Sequence, residues 1–131
     1  MSGPLLTSKQ VSPVLKADWN RPPARMHCFT SDAYFVQLPP GHVFPMEKFP
    51  QSAEALVEDG VIASDCVVDP GSVSPEDLLL VHTPDYVASI VHGEFNGRTS
   101  AKLGLPPSEA LSRRSHAAVA GTTHAARSAL T

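Results

Sequence analysis

An α/β domain with a parallel sheet flanked by helices is what the sequence predicts, and three observations carry that expectation. Two short apolar runs are each closed by turn residues, and helical patterns lie between and after them. Leu, Ile, Val and Phe together make up about a quarter of the 131 residues, above the roughly 20% level below which disorder is the default. No window approaches the roughly 18 uninterrupted apolar residues of a spanning helix, so no membrane segment is expected.

Residues 1–25 hold Lys9, Lys16, Arg21 and Arg25 against Asp18 alone. Pro4, Pro13, Pro22 and Pro23 break any amphipathic helix there, so this stretch is expected to be a disordered leader rather than a transit peptide. The ordered domain is expected to span 26–131. Met26-His27-Cys28-Phe29 follows the Pro-Pro break and reads as a buried strand. Tyr34, Phe35 and Val36 precede a stiff loop, Leu38 to Pro45, whose three prolines remove three backbone donors.

From Phe49 the apolar positions Phe49, Ala53, Leu56 and Val57 follow the stripe of a helix packed on one side. Pro50 requires the helix to begin within about a turn before it, and Gly60 ends it. Asp65-Cys66-Val67-Val68-Asp69 reads as the second strand, closed by Pro70-Gly71. Ser74-Pro75-Glu76-Asp77 and Thr83-Pro84-Asp85 are two helix starts built alike, with a hydroxyl at N-cap, proline at N1 and acid in the positive first turn. The first holds Leu78, Leu79 and Leu80. The second is expected to bury Tyr86 or Val87, then Ile90 and Val91, and to stop at Gly93. After a polar loop through Pro107, Ser108 caps a final helix rich in alanine, with Gly121 inside it, whose small face permits close approach of a neighbour.

Charge is distributed unevenly. The net charge of −3 divides into +3 over 1–25, −9 over 26–109 and +3 thereafter. An acidic middle repels phosphate, and neither basic end interleaves aromatic residues, so no direct nucleic-acid partner is expected. Cys28 and Cys66 form no Cys-x-x-Cys pair and no signal-peptide core precedes them, which predicts reduced thiols in an intracellular, cytoplasmic protein.

His27, His42, His82, His92, His116 and His124 show none of the compact spacings that zinc sites use. His116 and His124 lie about two turns apart on the last helix, too far for one ion. A nucleophilic Cys28 or Cys66 would need an electropositive site that the sequence does not display. Glu58-Asp59 and Glu76-Asp77 sit at helix ends, where capping and solvation account for them. The residues alone supply a scaffold with no complete catalytic constellation.

The run Pro39-Pro40-Gly41-His42-Val43-Phe44-Pro45-Met46-Glu47-Lys48-Phe49 resembles the loop and first helix that open the zinc-dependent histone deacetylase superfamily, in the form common in bacterial and class IV members. Three further stretches agree in order and spacing: Pro75 to Val87, Leu103-Gly104-Leu105-Pro106, and Gly121-Thr122-Thr123-His124-Ala125-Ala126 before Ala129-Leu130. Together they cover residues 26–131. The resemblance implies the N-terminal part of an arginase-like fold, a parallel sheet flanked by helices. It implies zinc-dependent hydrolysis of an acyl-lysine protein or a small acetylated amine by the intact protein.

In that family the zinc ligands, two Asp and one His, the His-His pair and the polarising Tyr all follow the glycine-threonine helix. The resemblance therefore assigns no catalytic, cofactor-binding or metal-ligating residue to this chain, and implies that alone it binds no zinc and is inactive. Lys48 stands roughly where many members carry an Arg lining the inner pocket, and Ala120-Gly121 where Gly-Gly is usual. The alternative expectation is a non-catalytic interaction fragment that docks or self-associates through an uncovered sheet edge and the Ala-rich helix.

Overall fold

The computed structural model describes residues 25–94, 98, 102 and 104–131. The leader expected over 1–25 therefore lies outside the described residues except for Arg25, as does part of the loop before Pro107. Arg25 is exposed and bonds Asp65 at 2.8 Å.

Two strands, β1 (Cys28–Phe29) and β2 (Val67–Val68), pair in parallel with Cys28 opposite Val67 and Phe29 opposite Val68. The parallel pairing is that expected of strand–helix–strand alternation, but each strand is shorter than its apolar run. On the second run, Ser64–Cys66 winds into a 3-10 turn and the Cys66 N–H bonds the Ala63 carbonyl. On the first, Met26 is exposed and His27 turns its ring to Ser128. With no third strand among the described residues, nothing extends the ladder beyond the Thr30 N–H to Val68 carbonyl bond.

Helix α1 (Lys48–Glu58) connects the strands. Pro50 falls in its first turn, where its missing N–H would have lacked a helical partner in any case. Its end is a Schellman motif: Gly60 adopts φ +67°, its N–H bonds the Val57 carbonyl, and the Val61 N–H bonds the Leu56 carbonyl. Helices α2 (Pro75–Leu78) and α3 (Pro84–His92) start as the sequence predicts. The Ser74 hydroxyl accepts from the Asp77 N–H and the Thr83 hydroxyl from the Tyr86 N–H. Because α2 lasts one turn, only Leu78 turns inward, while Leu80 and Val81 are 80% and 79% exposed. On α3 the buried pair is Val87 and Ile90. Of the alternatives Tyr86 and Val87 it is Val87 that turns inward, while Val91, expected inside, lies at the edge of that face and is substantially exposed, as is Tyr86.

The spine is α4 (Glu109–Leu130), capped by Ser108, whose hydroxyl accepts from the Leu111 N–H. Its buried positions Leu111 and Ser112 face α3, where the Ser112 hydroxyl donates to the Ile90 carbonyl at a helix end. One turn and two turns on, Ala117, Ala120 and Gly121 form a small buried face. A 3-10 turn, Asp32–Tyr34, lies across this face and lays the Tyr34 ring on it, with the hydroxyl donating to the Ala117 carbonyl at 3.3 Å. This turn has no apolar periodicity to announce it; its signal is Ser31, whose hydroxyl caps the Ala33 N–H.

A Cβ at position 121 would collide with the Tyr34 hydroxyl. Gly121→Ala is therefore expected to destabilise the fold by about 1–3 kcal/mol despite alanine's better helix propensity. Tyr34→Phe in the Gly121→Ala background should recover most of that loss. A double-mutant cycle by urea unfolding checks this; additive effects would show that the two residues do not meet.

Candidate functional site

The stiff loop before α1 is held at both ends by buried side chains, Val36 and Met46, the latter 2% exposed. Between them, His42 replaces the donors that the prolines lack. Its Nδ1 accepts from the Phe44 N–H at 3.1 Å, so the proton sits on Nε2, which donates to the Gly104 carbonyl at 2.9 Å. One imidazole thus fixes the loop's shape and ties it to a segment 62 positions away.

That fixed loop delivers Phe44 beside Phe49 of α1, the rings stacked at 6.3 Å with 26° between their planes. Tyr34 meets Phe49 edge-on at 6.0 Å. Two cations share this aromatic pair. The Lys48 ammonium lies 4.6 Å from the Phe44 centroid and 5.1 Å from that of Phe49. From α4, the half-buried Arg114 places its guanidinium 5.0 Å from Phe49 and donates Nε–H to the Tyr34 carbonyl at 3.2 Å. The ion pairs among the described residues are Arg25–Asp65 and Arg113–Glu109, so neither cation has a carboxylate partner there. Aromatic faces attract such cations by about 0.5–1 kcal/mol each at exposed sites but do not neutralise them. In an otherwise acidic stretch, this wall is where an anionic group is favoured.

A groove continues from the wall between β1 and α4, past Phe29, Tyr34 and Gly121. Burial pushes the Tyr34 phenol above its ordinary value, with the Asp69 and Cys28 charges adding to the effect and Arg114 opposing it. Arg25 holds the Asp65 carboxyl below its ordinary value by hydrogen bond and charge.

The six histidines are dispersed. His27 reaches Ser128, His42 closes the loop, His82 packs tilted against Tyr86 at 4.9 Å, His92 lies in the last turn of α3, His116 bonds the Ser112 carbonyl, and His124 packs on Phe29 at 5.6 Å. Among the described residues, no three His, Cys, Asp or Glu side chains converge as metal ligands. Cys66 is buried with its thiol on Asp65, Cys28 is half-buried, and both are free. The Glu58-Asp59 and Glu76-Asp77 pairs are exposed at helix ends. Lys48 was legible in the sequence; Arg114, on a helix that reads as small and polar, was not.

Among the described residues, no helix is long and apolar enough to cross a membrane. The chain is similar to an uncharacterized protein of Picosynechococcus sp., 38% identical over 97 residues, which is 74% of this chain and 32% of that protein. It thus spans about a third of the length of the relative it matches. No family model and no solved structure matches the chain.

Two outcomes follow. His42→Ala is expected to cost about 0.5–1.5 kcal/mol by removing the partner of the part-buried Phe44 N–H and the tie to the exposed Gly104 carbonyl, read by denaturant unfolding, with the Phe44 amide exchanging faster. Tyr34, whose folded value is raised, contributes stability that is fully present below about pH 10 and lost as pH rises through the folded value. Tyr34→Phe should flatten that alkaline limb in unfolding measured across the phenol's titration range.

Proposed function

We propose that the chain forms the N-terminal part of a zinc-dependent amide hydrolase of the histone deacetylase type, acting in the intact protein on acyl-lysine or a small acetylated amine. The observation that supports this reading is the meeting of stretches that are far apart in sequence but carry the resemblance. His42 joins the first to the third at Gly104, while Lys48, Phe44 and Phe49 meet Arg114 of α4, the helix that holds Gly121, beside Tyr34 of the 3-10 turn.

In this reading the chemistry supplied by a bound zinc would be polarisation of the acyl carbonyl and activation of water. The described residues do not fit that ion, since no ligand set converges among them, and no step through zinc is assigned to them. Their contribution is the wall itself. Lys48 and Arg114 attract the carboxylate that amide hydrolysis releases, and Phe44 and Phe49 hold those cations in place. Lysine retains the charge of an Arg at that position but offers no planar fork, so it acts as a point charge.

A second reading, a non-catalytic interaction module, is favoured by a different observation: Leu80 and Val81 stand in solvent, and among the described residues the sheet has two strands.

Metal analysis and a fluorogenic acetyl-lysine assay on this chain and on the full-length Picosynechococcus relative test the first reading. The expected result is zinc-dependent turnover by the relative and neither metal nor turnover in this chain. A relative without zinc or amidase activity overturns the family reading, and stoichiometric zinc with turnover in this chain overturns its incompleteness.

A further inference from the structure

Between α2, α3 and α4 lies a cavity of about 180 Å³. Part of its lining is apolar and closed off from water: Leu78, Val87, Ile90 and Leu111 border it and are themselves buried. His82 and Tyr86, both exposed, mark the side on which it meets solvent. An apolar cavity of about 150 Å³ holds one benzene ring, so this one takes a single six-membered ring with a small substituent.

The charge of the lining has one sign. Arg114, His82 and His116 border the cavity together with Ser115, and among the described residues no Asp or Glu does. Arg114 is the permanent charge. It gives one of its five N–H groups to the Tyr34 carbonyl and has no carboxylate partner among the described residues. The same side chain borders the Tyr34 groove, but a full charge acts through space, so it favours a negative group in the cavity without any one N–H having to point there. The two imidazoles carry no charge or a positive one, never a negative one.

This combination separates the ligand classes. An ammonium meets Arg114 with no acid in the lining to receive it. A bare inorganic anion leaves the four buried aliphatic side chains without a contact, and a hydrocarbon ring gains from those side chains but not from the charge. We propose that the cavity is a binding site for a small aromatic monocarboxylate of benzoate size, its ring among Leu78, Val87, Ile90 and Leu111 and its carboxylate held by the positive lining. The site is distinct from the Lys48–Phe44–Phe49 wall, where the hydrolase reading places a carboxylate, and does not rest on that reading.

The test titrates the full chain with benzoate, its uncharged analogue toluene and the cation benzylammonium, following thermal unfolding and the NMR signals of the cavity methyls and of the wall aromatics. Benzoate is expected to saturate, to bind about tenfold more tightly than toluene, the lower end of what a hydrogen bond to a charged group contributes, and to weaken as sodium chloride is raised where toluene does not. Benzylammonium should bind more weakly than toluene. Methyl signals of Val87, Ile90 and Leu111 should move with benzoate while the Phe44 and Phe49 ring signals stay. Val87→Phe, which fills the cavity, should abolish saturation by benzoate, and Lys48→Gln should leave it intact; if the first variant does not fold, the methyl shifts of the unmodified chain decide alone. Absence of saturation, equal affinities for benzoate and toluene, or benzylammonium as the tightest ligand would overturn the assignment. Shifts confined to Phe44 and Phe49 would also overturn it, while leaving the hydrolase reading of the wall standing.

Discussion

The close seat of Tyr34 on α4 is the contact on which the rest depends. It exists because Ala117, Ala120 and Gly121 present almost no side chain, so the Asp32–Tyr34 turn sits nearly on the helix backbone. From that seat the Tyr34 carbonyl takes Arg114 and the Tyr34 ring takes Phe49. Phe49 then orders Phe44, and the two rings position Lys48. A core with few large buried side chains relies on such directional contacts, since apolar area alone stabilises so small a body only modestly.

Helix α4 presents two chemically different sides to its neighbours. Toward β1 and the 3-10 turn it is small and lets an aromatic ring approach. Toward α2 and α3 it contributes Leu111 and His116 to a cavity that the facing Leu78, Val87 and Ile90 leave unfilled. Arg114 lies between the two and borders both, with its Nε–H donated to the Tyr34 carbonyl and its guanidinium over Phe49.

Local signals in the sequence were easy to read where one residue type has one job. Ser74, Thr83 and Ser108 cap the helices they announce, Gly60 and Gly93 end theirs, and the two strand runs pair in parallel. What could not be read depends on partners distant in the chain. Burial of Val87 rather than Tyr86 is decided by where α4 lies, not by the α3 pattern. Strand length is decided by the number of neighbouring strands, which a single run cannot report. Arg114 looks like a solvated helix charge until the Tyr34 carbonyl, 80 positions earlier, is seen to accept from it. The candidate wall is half legible, through Lys48 and the proline-rich loop, and the cavity between α2, α3 and α4 not at all.

The Tyr34 hydroxyl and the Ala117 carbonyl are 83 positions apart, which bears on biosynthesis. At translation rates of about 5–20 residues per second, the emerging polypeptide carries Tyr34 for roughly 4–17 s before its acceptor is even polymerised. During that interval Phe44 and Phe49 have each other and Tyr34 to settle on but not Arg114, so the cluster stays open until the helix that closes it has been made.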